Sequence, residues 1–409
     1  MAATKAIVWA WLGYSNNALG WDKLVFTPFA SGGDDGMHMA ATAIDSLDTL
    51  ILANVDYSDA LPFVRSARVD TSRHTNFFEA TIRILGGLLS AHALTEDDVY
   101  KSAAVRVGDE LVKAFDLLPC ATLYHGECVK ESSVSIAVAG SNILEFTQLS
   151  RITGNKTYRA AAEHAFGALI QSAKANSNML ISHVDFRAKP LHGRFSYGGE
   201  SDSFWEYLLK SWILGGCMKI EAREVFNGAV SNFISQDVMP KGHLDCFFPG
   251  LLALSYLYNG PTYHLAFALR SMSTCLSLYK TPTGLGAEDT FKLGYTKLRP
   301  EVMESLYMLW FVTGENTYRL EAEKIMKAIN KYAKRPLGGY CGVSLRDGKC
   351  PRWQSGEYQD AGSMPSFFIA ETLKYFLLFS VQDVSPLTHV FTTEAHLMPL
   401  TKGECSTRI

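Results

Sequence analysis

A helical hairpin that occurs once in each half of the chain constrains the fold more than any other feature of the sequence. Each copy, residues 144–163 and residues 303–323, has an apolar segment ending in Thr-Gly, then Thr-Tyr-Arg and a segment rich in Ala and Glu. Glycine is favoured just after a helix because it adopts the left-handed backbone conformation without a steric penalty. The pattern therefore predicts a buried helix followed by a more exposed one.

Further apolar segments of helical period lie on both sides of these copies. Hairpins that cannot bury their apolar faces alone must stack on one another or close into a ring. Because no polar capping repeat and no linker is visible, we predict one domain over residues 1–409 with an all-α fold, an (α/α)7 barrel. This toroid would carry long loops and short β-hairpins at one rim. Its seven inner helices are predicted to begin at Thr42, Asn76, Ile143, Asp202, Phe248, Glu301 and Ser366.

The overall charge argues against a nucleic-acid partner. The 409 residues have a formal net charge of −3 and a pI near 6.4, without the clustered Lys and Arg that a phosphate backbone requires. No run of about 18 apolar residues occurs, so we predict no membrane segment within this chain. The N-terminus lacks a signal-peptide pattern. The protein is therefore either cytosolic, or a leader or anchor is missing from this sequence.

Eight cysteines bear on the cellular compartment. No CxxC pair occurs, which argues against a structural zinc site. Two close pairs, Cys120 with Cys128 and Cys341 with Cys350, flank loop-like segments and fit disulfides in an oxidising compartment. A glycosylation sequon at residues 155–157 favours the same compartment. The alternative is a cytosolic protein with free, buried thiols.

Two acids mark the start of the sixth predicted inner helix. Pro300 fits the first turn of a helix because its missing N–H has no intrahelical partner there. Glu301 and Glu304 then share one face, since they are three residues apart. Two like charges at this spacing repel unless a cation lies nearby or one of them takes up a proton. A solvated acidic helix start is the alternative.

Other predicted inner helices also carry acids close to their beginnings, at Glu79, Asp202 and Glu371. Glu79 also fits a simple helix salt bridge with Arg83, and Asp202 fits an acid favoured by the helix dipole. In a toroid, however, the inner helices converge on one axis. Carboxylates crowded there require a cation, a shared proton or a catalytic role.

Six ordered motifs in the chain resemble one known family. They resemble the class I α-1,2-mannosidases, glycoside hydrolase family 47, over almost the whole chain, from about residue 11 to residue 396. The HLDCF string is closer to the processing branch of that family than to its degradation-enhancing branch. The motifs are IDSLDTL at 44–50, FEATIRILGGLLS at 78–90, DSFWEYLLK at 202–210, HLDCF at 243–247, LRPE at 298–301 and TEAH at 393–396.

The resemblance implies a hydrolase that removes terminal α-1,2-linked mannose from high-mannose N-glycans with inversion of configuration. By motif position, Glu79 resembles the family's general acid, which acts through a water. Glu301 resembles the general base that activates the attacking water, and Asp202 is the competing candidate for that role. Inversion requires about 6.5–9.5 Å between the acid and base carboxyls, so that a water fits between them.

The resemblance also implies a Ca²⁺ cofactor. Thr393 resembles the residue that binds the ion through its hydroxyl and its carbonyl, and the ion in turn holds two sugar hydroxyls. Buried acids would orient the waters of the ion; these are Glu206, Glu304, Glu371 and Glu394. The substrate contacts implied by the match are Arg83, Glu200, His243, Leu244, Arg299, Phe367, Glu371 and Glu394.

The resemblance further implies a compartment and a disulfide. Cys246 and Cys275 match the spacing of the family's disulfide, which favours the lumen of the endoplasmic reticulum or Golgi. Family members usually have an N-terminal anchor or signal, and this sequence starts at the catalytic domain. High-mannose N-glycans on glycoproteins are the expected partners, and we expect a monomer.

Four positions depart from the family pattern, and the changes at Thr392 and Leu397, on either side of the TEAH motif, are the milder ones. Val138 stands where the family usually has a glutamate, which removes one pocket acid. Glu200 stands two residues before Asp202, where endoplasmic-reticulum members have Arg and Golgi members have Leu. These departures leave branch preference open. They also define the alternative function, a mannosidase-like lectin that binds glycans without cleaving them.

Overall fold

The structure is a computed structural model, and it describes residues 2–26, 29–70, 72–191, 195–218, 220–289, 294–351, 361–401 and 405–409. The chain divides into two compact units. The first unit comprises Met1–Leu61, Met239–Ser385 and Thr407–Ile409, and the second comprises Pro62–Val238 and Pro386–Ser406. The single domain over residues 1–409 therefore stays a prediction, and the two units are described one after the other.

The first unit is helical, with one small antiparallel sheet. In that sheet Lys23–Val25 lies between Ser31–Gly33 and Ser363–Met364, with Lys23 opposite Gly33 and Leu24 opposite Met364. A 3-10 turn at Leu244–Phe247 leads into Phe248–Leu257. The α-helices described in this unit are Ala2–Asn17, Ala41–Asp45, Leu47–Leu52, Phe248–Leu257, Thr262–Ser277, Glu301–Thr313, Asn316–Ala328 and Lys374–Leu378.

The second unit is also mainly helical, and its strands are short. Thr122–Tyr124 pairs with Thr75–Asn76 and with Glu127–Cys128, and Val134–Ser135 pairs with His183–Val184. His389–Phe391 and Leu397–Pro399 form a hairpin. The α-helices described here are Phe77–Glu79, Gly86–Thr95, Asp98–Leu111, Ile136–Gly140, Ile143–Thr153, Lys156–Ala175, Asp202–Leu214 and Ile220–Ser235, with Leu61–Ser66 beginning at the unit boundary.

All seven predicted inner helices are helical in the structure, and the repeated hairpin is confirmed in both copies. The apolar helices Ile143–Thr153 and Glu301–Thr313 end at Gly154 and Gly314, whose φ angles of 74° and 71° are left-handed. In the second copy, the eight consecutive residues from Val302 to Leu309 are buried. The following helix, Asn316–Ala328, buries only three residues. The buried and exposed members of the hairpin therefore follow the predicted order.

Two of the inner helices contain π-helical segments. Ala80–Leu85 continues the helix that begins at Phe77, and Phe368–Leu373 precedes Lys374–Leu378. A π segment widens the helix locally and changes the direction of side chains, and such segments occur often at functional sites. The π segments contain Arg83 and Glu371, two of the predicted site residues.

All eight cysteines form disulfides in the structure. The two close pairs, Cys120–Cys128 and Cys341–Cys350, form the disulfides that the sequence predicted as one of two alternatives. Cys246–Cys275 is joined as the resemblance implied. The fourth bond, Cys217–Cys405, connects distant parts of the second unit, and the sequence did not identify it. The alternative of free, buried thiols is therefore wrong for this structure.

One helical stretch among the described residues, Phe77–Thr95, is long and apolar enough by composition to cross a membrane, with a mean hydropathy of 1.2. In the structure, 67% of it is buried inside the protein. A core helix requires such burial, so this stretch is weak evidence for a membrane span.

A buried ion pair in the first unit leads to a stability prediction. Lys374 Nζ lies 2.7 Å from Asp48 Oδ2, and both side chains are 0% exposed. We expect Lys374→Met to lower the free energy of unfolding by about 3–5 kcal/mol, because it removes the cation from a buried carboxylate. Lys349→Met is the control, since its pair with Asp347 is exposed to solvent and contributes little to stability. Equal urea-unfolding free energies for the two variants would contradict this prediction.

Candidate active site

In the second unit, Arg83 lies between two carboxylates. Its Nε donates to Glu79 Oε2 at 2.6 Å, and its Nη1 donates to Glu394 Oε1. Glu79 is 30% exposed and Glu394 is 3% exposed. Asn76 caps the helix by accepting the Glu79 N–H at 3.1 Å. The helix salt bridge considered for Glu79 is therefore present. In addition, the Arg83 guanidinium holds the Glu79 carboxylate in a position that solvent still reaches.

Thr393 lies in the loop between the hairpin strands His389–Phe391 and Leu397–Pro399. Its backbone N–H donates to the hydroxyl of Tyr207 at 3.2 Å. The Tyr207 hydroxyl in turn donates to Glu145 Oε1 at 2.6 Å. The Leu397 N–H donates to Ser90 Oγ at 2.9 Å. The Thr393 loop is thus attached to the helical core by hydrogen bonds on both sides.

Glu145 is a buried acid that was absent from the predicted site residues. Burial raises the pKa of Glu145 to about 8, although the hydrogen bond from Tyr207 opposes this rise. Its Oε2 atom is buried and has no hydrogen-bond partner among the described residues. The sequence did contain a signal for it, because Glu145, like Glu304 in the second hairpin copy, is an acid in the first turn of an apolar helix.

Asp202 and Glu206 lie one turn apart on Asp202–Leu214. Asp202 is half-buried, and its Oδ1 accepts the Ser203 N–H at 2.9 Å. Glu206 is buried and forms an ion pair with Lys210. Glu200, just before this helix, has a side chain that is 65% exposed and lies 3.8 Å from His183 Nδ1. Its predicted contact with the glycan stays a prediction.

In the first unit, Glu301 belongs to a chain of three polar side chains. Its Oε2 lies 2.7 Å from His243 Nδ1, and His243 Nε2 lies 2.9 Å from the Tyr279 hydroxyl. Burial alone would raise the pKa of Glu301, but the hydrogen bond and charge of His243, with the charge of Arg299, hold it below its ordinary value. The arrangement therefore keeps Glu301 ionised, which is the state that accepts a proton. The sequence did not identify Tyr279.

Arg299 and Leu244 flank this chain. Arg299 Nε lies 2.6 Å from Glu288 Oε2, so the guanidinium is held by an acid that the sequence did not identify. Leu244 is half-buried in the 3-10 turn that follows His243. The Thr372 hydroxyl donates to the Leu298 carbonyl at 2.8 Å, which connects the second π segment to the residue before Arg299.

The remaining predicted acids of the first unit are buried, with Glu304 at 7% and Glu371 at 6% exposure. Phe367 is half-buried and directly precedes the π segment Phe368–Leu373. Burial of carboxylates at this level is costly unless each is neutralised or hydrogen-bonded. The alternative of a solvated acidic helix start therefore does not fit the burial of Glu304.

The residues around Thr393 fit a hard cation. The threonine is half-buried, Glu206 and Glu394 of the same unit are buried carboxylates, and Glu145 Oε2 is a buried acceptor without a hydrogen-bond partner in the described chain. Hydroxyl, carbonyl and carboxylate oxygens are the donors that Ca²⁺ prefers.

A second acidic group, Asp22 with Asp34 and His38, has side chains close enough to hold a metal. Both oxygens of Asp22 already accept backbone N–H groups, among them those of His38 and Met39 at 2.9 and 3.1 Å. Asp34 and His38 are exposed. We therefore interpret Asp22 as the residue that organises this loop.

Comparison with known proteins identifies the family. Residues 6–400 match Glycosyl hydrolase family 47. The chain belongs to this family. The resemblance predicted from the six motifs is therefore confirmed, and the chain is a glycoside hydrolase by membership.

Several relatives in the family are named for their activity. The endoplasmic reticulum mannosyl-oligosaccharide 1,2-alpha-mannosidases of Rattus norvegicus and Homo sapiens are 30% and 31% identical over 97% and 96% of this chain. Mannosyl-oligosaccharide 1,2-alpha-mannosidase MNS1 of Arabidopsis thaliana is 32% identical over 96% of it. The chain spans 67%, 62% and 77% of the lengths of these family members.

A solved structure of the family confirms the fold class. The alpha-1,2-mannosidase from Trichoderma reesei matches with a TM-score of 0.86 and 25% sequence identity, covering 98% of each chain. The all-α, α/α-barrel class predicted from the repeated hairpins is therefore confirmed for this family member.

Proposed function

We propose that this protein is a calcium-dependent, inverting exo-α-1,2-mannosidase that trims terminal α-1,2-linked mannose from high-mannose N-glycans. One observation carries the proposal: Glu301, at the family's base position, is held by His243 in its ionised state. The names of the family's relatives support the substrate class. Four disulfides support action in the lumen of the endoplasmic reticulum or Golgi.

The two catalytic carboxylates have different surroundings, which suits different roles. Glu301 takes the proton of the attacking water, and the hydrogen bond from His243 supports this assignment over Asp202. Asp202 is half-buried, and one of its oxygens accepts the N–H of Ser203. Glu79 delivers a proton to the departing sugar oxygen through a water, and its 30% exposure leaves room for that water.

Thr393 would hold Ca²⁺ through its hydroxyl and carbonyl. Bound there, the ion supplies a Lewis-acidic contact that positions the sugar ring through two of its hydroxyls. The acids expected to orient the waters of the ion are Glu206, Glu304, Glu371 and Glu394. Phe367 would support the face of the sugar. Substrate contacts are expected from Arg83, Glu200, His243, Leu244, Arg299, Glu371 and Glu394.

The lectin alternative is not favoured by any contact in the described chain. Val138 does lack the carboxylate that the family usually has at this position. Its N–H donates to Ser135 Oγ at 3.2 Å as part of a helix cap. The acids at all three catalytic positions, Glu79, Asp202 and Glu301, are nevertheless present. Binding without hydrolysis would require these carboxylates to be inactive, and nothing in their surroundings supports that.

A direct assay tests the proposal. The protein is incubated with a nine-mannose N-glycan in calcium, after exhaustive chelation, and after calcium is restored. We expect mannose release in the first and third samples and none in the second, because the ion positions the substrate. Glycan binding without release in calcium would contradict the enzyme assignment, and release from the chelated protein would contradict the calcium requirement.

His243 leads to a prediction about pH dependence. His243→Gln is expected to raise the pKa of Glu301, because burial remains while the charge of His243 is lost. A base works only above its pKa, so the acidic limb of the kcat/KM profile should move to higher pH. His264→Gln is the control, since this buried histidine bonds the Ser255 hydroxyl and lies outside the predicted site. An unchanged acidic limb in His243→Gln would contradict the assignment.

A further inference from the structure

We infer that Tyr207, oriented by Glu145, is a positioning residue that holds Thr393 in the geometry required to bind the cation. The inference rests on the proposed function, in which Thr393 is the calcium ligand. Neither Tyr207 nor Glu145 is among the site residues that the family resemblance implied. Both belong to the second unit, as does Thr393.

The hydrogen-bond directions along this path are fixed by chemistry. A backbone N–H can only donate, so the Tyr207 oxygen must accept from Thr393 at 3.2 Å. A phenol has a single proton, and that proton is therefore directed to Glu145 Oε1, 2.6 Å away. Tyr207 and Glu145 are both 0% exposed. Water therefore cannot readily replace either partner, and each link depends on the other.

The link from Thr393 to Tyr207 anchors the turn from outside its own hairpin. The hairpin is closed by the Thr392 N–H, which donates to the His396 carbonyl at 2.9 Å, and Ala395 takes a left-handed φ of 58°. Thr393 lies inside this turn, and its N–H points to Tyr207 on the helix Asp202–Leu214. Fixing that N–H restricts rotation of the peptide that precedes the Thr393 hydroxyl and carbonyl.

Glu145 extends the path to the first copy of the repeated hairpin. It lies in the first turn of Ile143–Thr153, as Glu304 lies in the first turn of Glu301–Thr313 in the second copy. Its Oε1 accepts the hydrogen bond of the Tyr207 hydroxyl. A change at Glu145 should therefore reach Thr393 through the orientation of the Tyr207 hydroxyl.

The test measures calcium affinity, which is independent of catalysis. Calorimetric titration with CaCl₂ is performed on chelator-stripped wild type, Thr393→Ala, Tyr207→Phe, Glu145→Leu, Glu145→Gln and the double variant Tyr207→Phe/Glu145→Leu. Tyr340→Phe is the matched control, because this buried tyrosine donates to Asn330 Oδ1 at 2.8 Å in the other unit. Thermal unfolding with and without calcium gives a second reading for each variant.

We expect Tyr207→Phe and Glu145→Leu each to raise the calcium Kd about three- to tenfold, the range for one lost hydrogen bond. Glu145→Gln keeps an acceptor oxygen and should stay within about twofold of wild type, as should Tyr340→Phe. The double variant should be no weaker than Tyr207→Phe alone, because both changes break one path.

Unchanged affinity in both Tyr207→Phe and Glu145→Leu would overturn the inference, as would fully multiplicative losses in the double variant. If wild type itself binds no calcium, the proposed metal site is wrong and the inference is wrong with it. If wild type binds calcium and Thr393→Ala does not, while Tyr207→Phe binds like wild type, only the inference is wrong. Should Tyr207→Phe fail to fold, the contrast between Glu145→Leu and Glu145→Gln decides.

Discussion

Glu301→Gln is expected to lower kcat on a nine-mannose glycan about 10²–10⁴-fold while leaving the protein folded. This is the range that a positioned general base contributes. Glutamine has the size of glutamate, and its amide oxygen can still accept a hydrogen bond from His243 Nδ1, so the local packing is preserved. The amide cannot take a proton from the attacking water, and the chemical step is lost.

Asp202 is the competing candidate for the base, so its variant is the control for Glu301→Gln. Asp202→Asn is measured beside Glu301→Gln, with glycan Kd and thermal stability recorded for both. We expect Glu301→Gln to retain glycan binding and lose turnover, and to be the more severely impaired of the two. Near-normal turnover in Glu301→Gln together with a large loss in Asp202→Asn would transfer the role of base to Asp202.

Glu79→Gln has the second largest expected effect, again about 10²–10⁴-fold in kcat, because an amide does not supply the proton that the departing sugar oxygen needs. The interaction with Arg83 is weakened by this change, yet the amide oxygen can still accept from the guanidinium. Glycan binding and thermal stability are measured together with turnover, so that a loss of proton transfer is distinguished from a loss of structure.

A matched surface pair separates the catalytic role of Glu79 from the structural one. Arg159 Nε lies 2.7 Å from Glu163 Oε1, four residues apart on one helix, so this pair has the same spacing as Glu79 and Arg83. Glu163→Gln should leave turnover unchanged. If Glu79→Gln retains turnover as Glu163→Gln does, then Glu79 only forms a salt bridge with Arg83 and is not the general acid.

The sequence predicted the helices well because their signals are local. The period of the apolar residues and the glycines at 154 and 314 are contained within one hairpin, and the structure confirms both copies. The close cysteine pairs are also local in sequence. The Cys217–Cys405 bond joins residues 188 positions apart, and no local pattern could identify it.

The candidate site was only partly predictable, for the same reason. The acids were found because they interrupt apolar helices, and their roles came from the family resemblance and stay predictions. The groups that tune them were missed: Tyr279 contacts His243 from 36 residues away, and Tyr207 contacts Glu145 from 62 residues away. Buried tyrosines look like ordinary core residues in a sequence, since only the folded chain reveals where the hydroxyl points.

The measurement that tests the central claim most directly is the anomeric form of the first mannose released. Proton NMR follows the reaction of calcium-loaded protein with a nine-mannose glycan, at times short enough to precede mutarotation. Attack of water on the face opposite the departing sugar should produce β-mannose first, with α-mannose appearing later as the sugar equilibrates. If α-mannose is the first product, the assignment of Glu79 and Glu301 as the acid and base of an inverting enzyme is wrong.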